Sequence, residues 1–241
     1  MIFRRNADQA TSTAATRPGS DLPPVGRYES FDFGDGAVRA SRHRNPDGTT
    51  GGWVAQTANV EDTAHLDPDA MVFGNARVFG SARVLDRARV YDNARVHDGA
   101  VVTGEATLAG NCSVTDAEVG HHARVSGSAK VSGGARVGGH ARVGDDARVF
   151  GDALVAGRAR VAGRAWIGGG EIAGDTVVEG SAAVHPGARL TQAEVITSGT
   201  HGAAAAAATT ATTTELVIER STRVEVDIDI DAEDEFSRAI A

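Results

Sequence analysis

Residues 76–96 read ARVFGSARVLDRARVYDNARV, with alanine, arginine and valine together at every sixth position. A helix would scatter a six-residue repeat onto opposite sides, so the period excludes an amphipathic helix. Strand geometry accommodates it. Ala and Val, two residues apart, face one way, the Arg between them faces the other, and a following Gly, Asp or Asn turns the chain. The same aliphatic position recurs from Val54 to Val195 over 24 intervals, 21 of six residues and three of five. A strand this short cannot bury its own face, so each unit must lie on a like neighbour, as in a solenoid. Three hexads to a turn predict a triangular coil. About eight such coils, at about 4.8 Å per rung, make a rod of roughly 38 Å. The narrow interior then explains the residue choice, with Val, Leu or Ile mid-side and only Ala, Ser, Thr, Cys or Gly near a corner.

VFGNAR (72–77), VSGSAK (125–130) and VGDDAR (143–148) resemble the hexapeptide repeat of left-handed parallel β-helices, an aliphatic residue followed four places later by a small one. The resemblance covers 54–195. It implies an all-β fold, a single-stranded left-handed parallel β-helix. That superfamily includes acyltransferases and γ-type carbonic anhydrases, commonly homotrimers. GGWV (51–54) leading into FGNARVFGSARV (73–84) is more similar still to GNARV-repeat proteins of bacteria and phages.

The ends read differently. Residues 1–25 are rich in Ala, Thr, Ser and Pro and are expected to be a disordered arm. Residues 26–53 predict a β-hairpin around Gly34-Asp35-Gly36, followed by a loop NPDGTTGG, which would cap the open N-terminal end. Residues 196–214 are an Ala/Thr-rich linker, and 215–241 alternate apolar and charged residues, predicting a C-terminal strand or hairpin with an acidic, solvated tail. The net charge of −8 belongs to that end, because residues 196–241 hold nine acidic and three basic side chains. Net charge predicts no nucleic-acid partner. No stretch approaches the roughly 18 apolar residues that span a bilayer, and the first residues lack the apolar core of a secretory signal. The single cysteine, Cys112, excludes an internal disulfide framework and fits a reducing compartment. A cytoplasmic location is expected, or a virion if the chain is phage-encoded.

Taking every third hexad predicts three outward columns. One runs Arg77, Arg95, Ser113, Lys130, Arg148, Trp166, a second Arg89, Thr107, Arg124, Arg142, Arg160, and the third Arg83, Val101, Glu118, Arg136, Leu154, Glu171, Arg189. The first two are basic stripes in which like charges repel unless neutralised, and corner aspartates Asp86, Asp92, Asp98 and Asp145 are placed to neutralise them. Arg77, Arg95, Lys130, Arg148 and Trp166 are the candidate polyanion-binding residues, with Trp166 expected to take Arg148 as a cation–π partner. The shortened intervals put Glu118, Glu171 and Glu194 where arginine usually stands, and Glu118 with Arg136 and Glu171 with Arg189 are expected ion pairs. Leu85, Val101 and Leu154 mark the third face for packing between subunits.

Histidines come next. His122 and His140 occupy one corner in successive coils and are candidate metal ligands, but a column spreads ligands too far for one ion and supplies no third. The superfamily's carbonic anhydrases use three histidines, two close in sequence, which His121 and His122 do not reproduce. His97 and His185 are candidate bases if the chain transfers acyl groups, as the resemblance implies. No inserted loop interrupts 54–195 to wall a coenzyme cleft. Cys112 falls in an inward slot and reads as core filler, while Asn75, Asn93 and Asn111 predict an amide ladder. The expected function is therefore a non-catalytic structural or interaction module, a self-associating rod with no cofactor. An acyltransferase with a site between subunits and a polyanion-binding solenoid are the alternatives.

Overall fold

The computed structural model describes residues 27–202. The expected N-terminal arm, residues 203–214 of the linker, and the C-terminal strand and acidic tail lie outside the described residues. Among the described residues there are 28 strands and no helix, and most strands are two residues long. They form three sheets of 11, nine and eight strands, here sheets 1, 2 and 3. In each, a strand pairs in parallel with the strand one coil away. Arg77 lies opposite Arg95 and Arg95 opposite Ser113 in sheet 2, and Arg83 lies opposite Val101 in sheet 3. The chain is thus an all-β solenoid of about eight turns. The three outward columns stack in the order the period predicts.

The Ala and Val columns fill the interior. Ala76, Val78, Ala82, Val84, Ala88 and Val90 are all 0% exposed. Each buried valine contributes on the order of 1.5 kcal/mol or more, and the repeat multiplies that term along the rod. Corners need a left-handed residue, which is why Gly or Asp follows two places after the aliphatic. Gly80 has φ 67° and Asp92 φ 57°. The corner aspartates have a task the repeat did not reveal. Asp86, Asp92 and Asp145 accept hydrogen bonds from the backbone N–H of Gly104, Gly110 and Gly163 one coil on, at 2.8–2.9 Å. They close turns onto the next rung, and among the described residues none of the three pairs with an arginine of the stripes.

Two further expectations are corrected. The third shortened interval does not exist. Ile196 is the inward residue at 8% exposure, Val195 is 67% exposed, and Val178 pairs with Ile196. Val195 therefore takes the outward slot assigned to Glu194, and the stack runs on through Thr200–His201. Asn75, Asn93 and Asn111 do stack, but their coils are joined by backbone: Asn75, Asn93 and Asn111 N–H donate to the carbonyls of Asp92, Gly110 and Gly127. Their side chains are exposed and form no ladder among themselves. Glu118 and Arg136, at 3.8 Å, and Glu171 and Arg189, at 4.0 Å, do pair across rungs. Both pairs are exposed and each is worth less than about 1 kcal/mol.

The N-terminal end is closed by β1 (Glu29–Asp32), β2 (Ala37–Arg44) and β3 (Thr50–Ala55), which extend sheet 1. β1 and β2 pair antiparallel, as do β2 and β3, and β3 then lies parallel to Met71–Val72 of the first coil. Gly51 and Gly52 belong to β3, so the loop is shorter than NPDGTTGG. The cap is locked by polar side chains over the open coil. Asn45 Nδ2 donates to Leu66 O at 3.0 Å while its Oδ1 accepts from Leu66 N at 2.9 Å, satisfying an edge that no further strand covers. His43 Nε2 donates to Ala64 O at 3.0 Å.

His43 gives the cap a pH dependence. Burial lowers its pKa below the ordinary 6.5, against the opposing pull of the Ala64 carbonyl, so the folded imidazole is held neutral. The unfolded chain takes up a proton where the folded chain does not. The contribution of His43 is therefore full above about pH 6.5 and is lost as pH falls from there toward the lowered folded value. Urea titrations above and below that range should show a pH slope in the native chain that is smaller in His43→Gln. Equal slopes would show that another group carries it.

Candidate functional site

Two columns of sheet 1 build a trough. The first is the outward column, Arg89, Thr107, Arg124, Arg142, Arg160, whose register is continuous from coil to coil. The second follows the inward aliphatic: Phe73, Tyr91, Ala109, Ser126, Gly144, Ala162. Phe73 and Tyr91 stack at 4.8 Å between ring centroids with planes 7° apart. Phe33 of the cap stacks on Phe73 at 4.8 Å, so the cap is continuous with this column. After Tyr91 the column drops to four small residues, and a recess opens beside the arginines. One concavity of about 500 Å³ runs from Phe33 past Tyr91 to Arg124 and Ser126. A second, of about 260 Å³, is lined by Arg124, Arg142 and Arg160 over Ser126, Gly144 and Ala162. A third, of about 470 Å³, lies beside Arg89, Arg87 and Glu105.

The recess, not the charge pairing, distinguishes this face. Among the described residues, no carboxylate lies within 4.0 Å of Arg89, Arg124, Arg142 or Arg160, and none within that distance of Arg77, Arg95, Lys130 or Arg148 on sheet 2, whereas Arg87, Arg136 and Arg189 each have a glutamate. Arg124, Arg142 and Arg160 at rung spacing, with Arg89 two rungs before them, raise the local positive potential, and a polar recess at their feet focuses it.

The residues singled out on sheet 2 do share one face, and Arg77, Arg95, Lys130 and Arg148 are exposed in register. Trp166 lies opposite Arg148 in the ladder. Its indole instead packs edge-on against Phe150, with centroids 4.4 Å apart, and tilts toward His185 at 5.3 Å. Gly168 makes this possible, because a Cβ there would come within 2.9 Å of the indole. The indole thus lies across the column in place of covering the guanidinium. His185 is an aromatic neighbour in this cluster.

His97 is the most organised histidine. Its Nδ1 donates to Asp98 Oδ2 at 2.9 Å, and Nε2 accepts from the hydroxyls of Thr115 at 2.7 Å and Ser113 at 3.2 Å. Hydroxyl, imidazole and carboxylate in that order is the arrangement that activates nucleophiles. Here the ring lies flat on Phe79, 4.7 Å between centroids and 3° between planes. Both hydroxyls stand one coil on, in the same ladder, where the contacts tie coil to coil. His122 and His140 stack at 4.8 Å, with His122 Nδ1 3.3 Å from Glu105 Oε2. Among the described residues no three His, Cys, Asp or Glu side chains gather as a metal site.

Cys112 is fully buried, and burial pushes its thiol pKa up to about 12. Ellman's reagent at about pH 8 is expected to leave it untouched until the rod unfolds, since thiolate and access are both required. Rapid labelling of the folded chain would contradict the filler role.

The sequence had located the arginines of sheet 1 without the recess. The signal was present in the run of small residues after the aliphatic position, a column that the Ala-Arg-Val repeat does not draw the eye to. A family model described as YdcK Beta solenoid repeat matches residues 88–104, which span about one coil. No curated protein matches the chain. The likeness is thus to a β-solenoid repeat, carried by the coil that contains Arg89, Tyr91 and His97.

Proposed function

We propose that the protein is a non-catalytic interaction module, a β-helical rod, left-handed as its resemblance to the hexapeptide-repeat β-helices implies, that docks an acidic polypeptide segment along the sheet 1 trough. The observation that carries this reading is the recess floored by Ser126, Gly144 and Ala162 beside the stacked Arg124, Arg142 and Arg160. An extended chain lies flat on such a floor and can place repeated carboxylates against repeated guanidinium groups, which pair with them bidentately. Nucleic acid fits less well. Its binding to single strands uses open aromatic faces, and the rings here stack on one another up to Tyr91. The absence of any inserted loop between coils also favours display over catalysis, since reaction sites are built mostly on loops.

Anisotropy of a labelled oligoglutamate peptide tests this. Binding at low salt should weaken about tenfold or more in Arg124→Gln/Arg142→Gln and steeply with added salt, while Arg77→Gln/Arg95→Gln on sheet 2 has little effect. Absent binding at low salt, or equal loss from both faces, would remove the trough from consideration. A second reading, self-association into a trimer through sheet 3, rests on Leu154, 37% exposed, in register with Arg136 and Glu171 and in one column with Val101. Charging Leu85 and Leu154 should lower the mass in solution, and an unchanged mass would dismiss that face.

A further inference from the structure

On sheet 1 the ladder of rings stops before the ladder of backbone does. Phe33, Phe73 and Tyr91 stack at 4.8 Å from ring to ring, which is the spacing of the rungs themselves. The next rung keeps the backbone contact, with Tyr91 N–H donating to Leu108 O at 2.9 Å, but it presents only the methyl group of Ala109. One face of the Tyr91 ring thus looks onto a step without a ring. Thr107, the other outward residue of that strand, is also small. The rung is a notch between Arg89 and Arg124, which stand two rungs, about 10 Å, apart. Tyr91, Ala109, Thr107 and both arginines line the concavity of about 500 Å³.

Sheet 2 fills the equivalent steps with its own side chains. The ladder of Phe79 and His97 ends against Thr115, whose hydroxyl donates to His97 Nε2 at 2.7 Å. Beyond Phe150 the small residue is Gly168, and the Trp166 indole lies over it, edge-on to Phe150. A ring therefore already occupies a step of this kind elsewhere on the rod.

We infer, on the docking reading above, that the notch over Ala109 takes an aromatic side chain of the docked acidic segment, stacked on Tyr91 as the next ring of the ladder. Stacking and the burial of the ring give this position specificity that charge alone lacks. Electrostatics orient the segment. Asp35 lines the concavity at its cap end, whereas Arg124, Arg142 and Arg160 follow on the other side of the notch. The carboxylates accordingly lie on the side of the ring away from the cap. From the Ala109 rung to the Arg160 rung is three steps, about 14 Å, the length of four extended residues. The segment that fits carries an aromatic residue with acidic residues two and four positions along, all on one side of the strand.

Calorimetric titration of the full-length chain with unlabelled peptides tests this. The peptides are Gly-Tyr-Gly-Glu-Gly-Glu-Gly, its counterpart with alanine for tyrosine, and both in reversed order. At low salt the tyrosine peptide should bind about tenfold tighter than the alanine peptide in one of the two orders. Ala109→Leu covers the Tyr91 face with an aliphatic side chain, and Tyr91→Leu removes the ring without baring Phe73. Each should bring the two peptides to equal affinity, with a thermal scan to check that the variant folds. In the native complex the peptide's tyrosine protons should shift upfield and show nuclear Overhauser contacts to the Tyr91 ring. Equal affinities for the native chain in both orders, a tyrosine preference that survives Ala109→Leu, or adenosine monophosphate binding tighter than the tyrosine peptide would each overturn the inference, the last by giving the notch to a nucleobase. If the alanine peptide still bound, with salt sensitivity and loss in Arg124→Gln/Arg142→Gln, the docking reading would stand and only the aromatic position would fall. No binding of any of the peptides at low salt would sink both.

Discussion

Ala123→Leu is expected to destabilise the rod by about 3 kcal/mol or more, while Arg124→Leu, the same new side chain one residue later, stays within about 0.5 kcal/mol. Ala123 is 0% exposed, as are Ala106 and Ala141, its counterparts in the coils on either side. The wall at this height is therefore alanine on alanine on alanine, and three extra carbons find no void to enter. They must push Ala106 or Ala141 off its rung, breaking a ladder in which Thr107 N–H donates to Ala123 O and Arg124 N–H to Ala141 O, both at 2.9 Å. Arg124 points to solvent and holds no partner among the described residues, so its loss removes charge without removing packing. For a domain of this size the difference corresponds to about 6–12 °C in Tm, readable in a thermal scan with a urea titration to check cooperativity. Equal effects would mean that the arginine face, and not the Ala-Val face, holds the fold.

That contrast also marks where the sequence is informative. Periodicity reports what recurs, and the inward columns recur because sterics permit only two kinds of side chain there. Stacking followed from the same count, so Arg124 over Arg142 over Arg160 was legible in the sequence itself. Where two adjacent residues both satisfy the inward rule, the count fails. At Val195-Ile196 either residue could turn inward, and the ladder with Val178 decides for Ile196. Asp92 and Asp145 mislead for another reason. A carboxylate near an arginine suggests an ion pair, but a left-handed corner brings the next coil's N–H to 2.9 Å from the carboxylate first. The trough was half legible, since its rim is in the repeat while its floor depends on Ala109, Ser126, Gly144 and Ala162 being small together. His43 and Asn45 carried no periodic signal at all. Their role exists only because β2 passes over the open coil, a contact set by long-range geometry.

Gly52→Ala is expected to be the other severe change, and to act at the cap. Gly52 has no unusual backbone angle, so its requirement is purely one of space. An added Cβ would overlap Ala70 O and come 2.8 Å from Asp67 O and 2.9 Å from Ala70 C. All three are backbone atoms of the first coil and cannot rotate away. β3 must lift, which breaks the bond from Trp53 N to Ala70 O at 3.0 Å and loosens the Asn45 and His43 locks behind it. A loss of about 3 kcal/mol is expected from overpacking alone. Gly48→Ala provides the control. Its φ of 81° carries strain, but nothing closer than 3.9 Å opposes a Cβ, so its cost should stay near 1–2 kcal/mol, about that of the angle itself. A second consequence separates cap loss from general destabilisation. The first coil ends in strand edges that the cap covers, and bare edges recruit further strands. Gly52→Ala should therefore scatter light in a concentration-dependent way at temperatures where it is still folded, whereas Ala123→Leu, equally destabilised but capped, should not. Scattering of similar size from both variants would assign the association to unfolding and leave the cap with a role in stability alone.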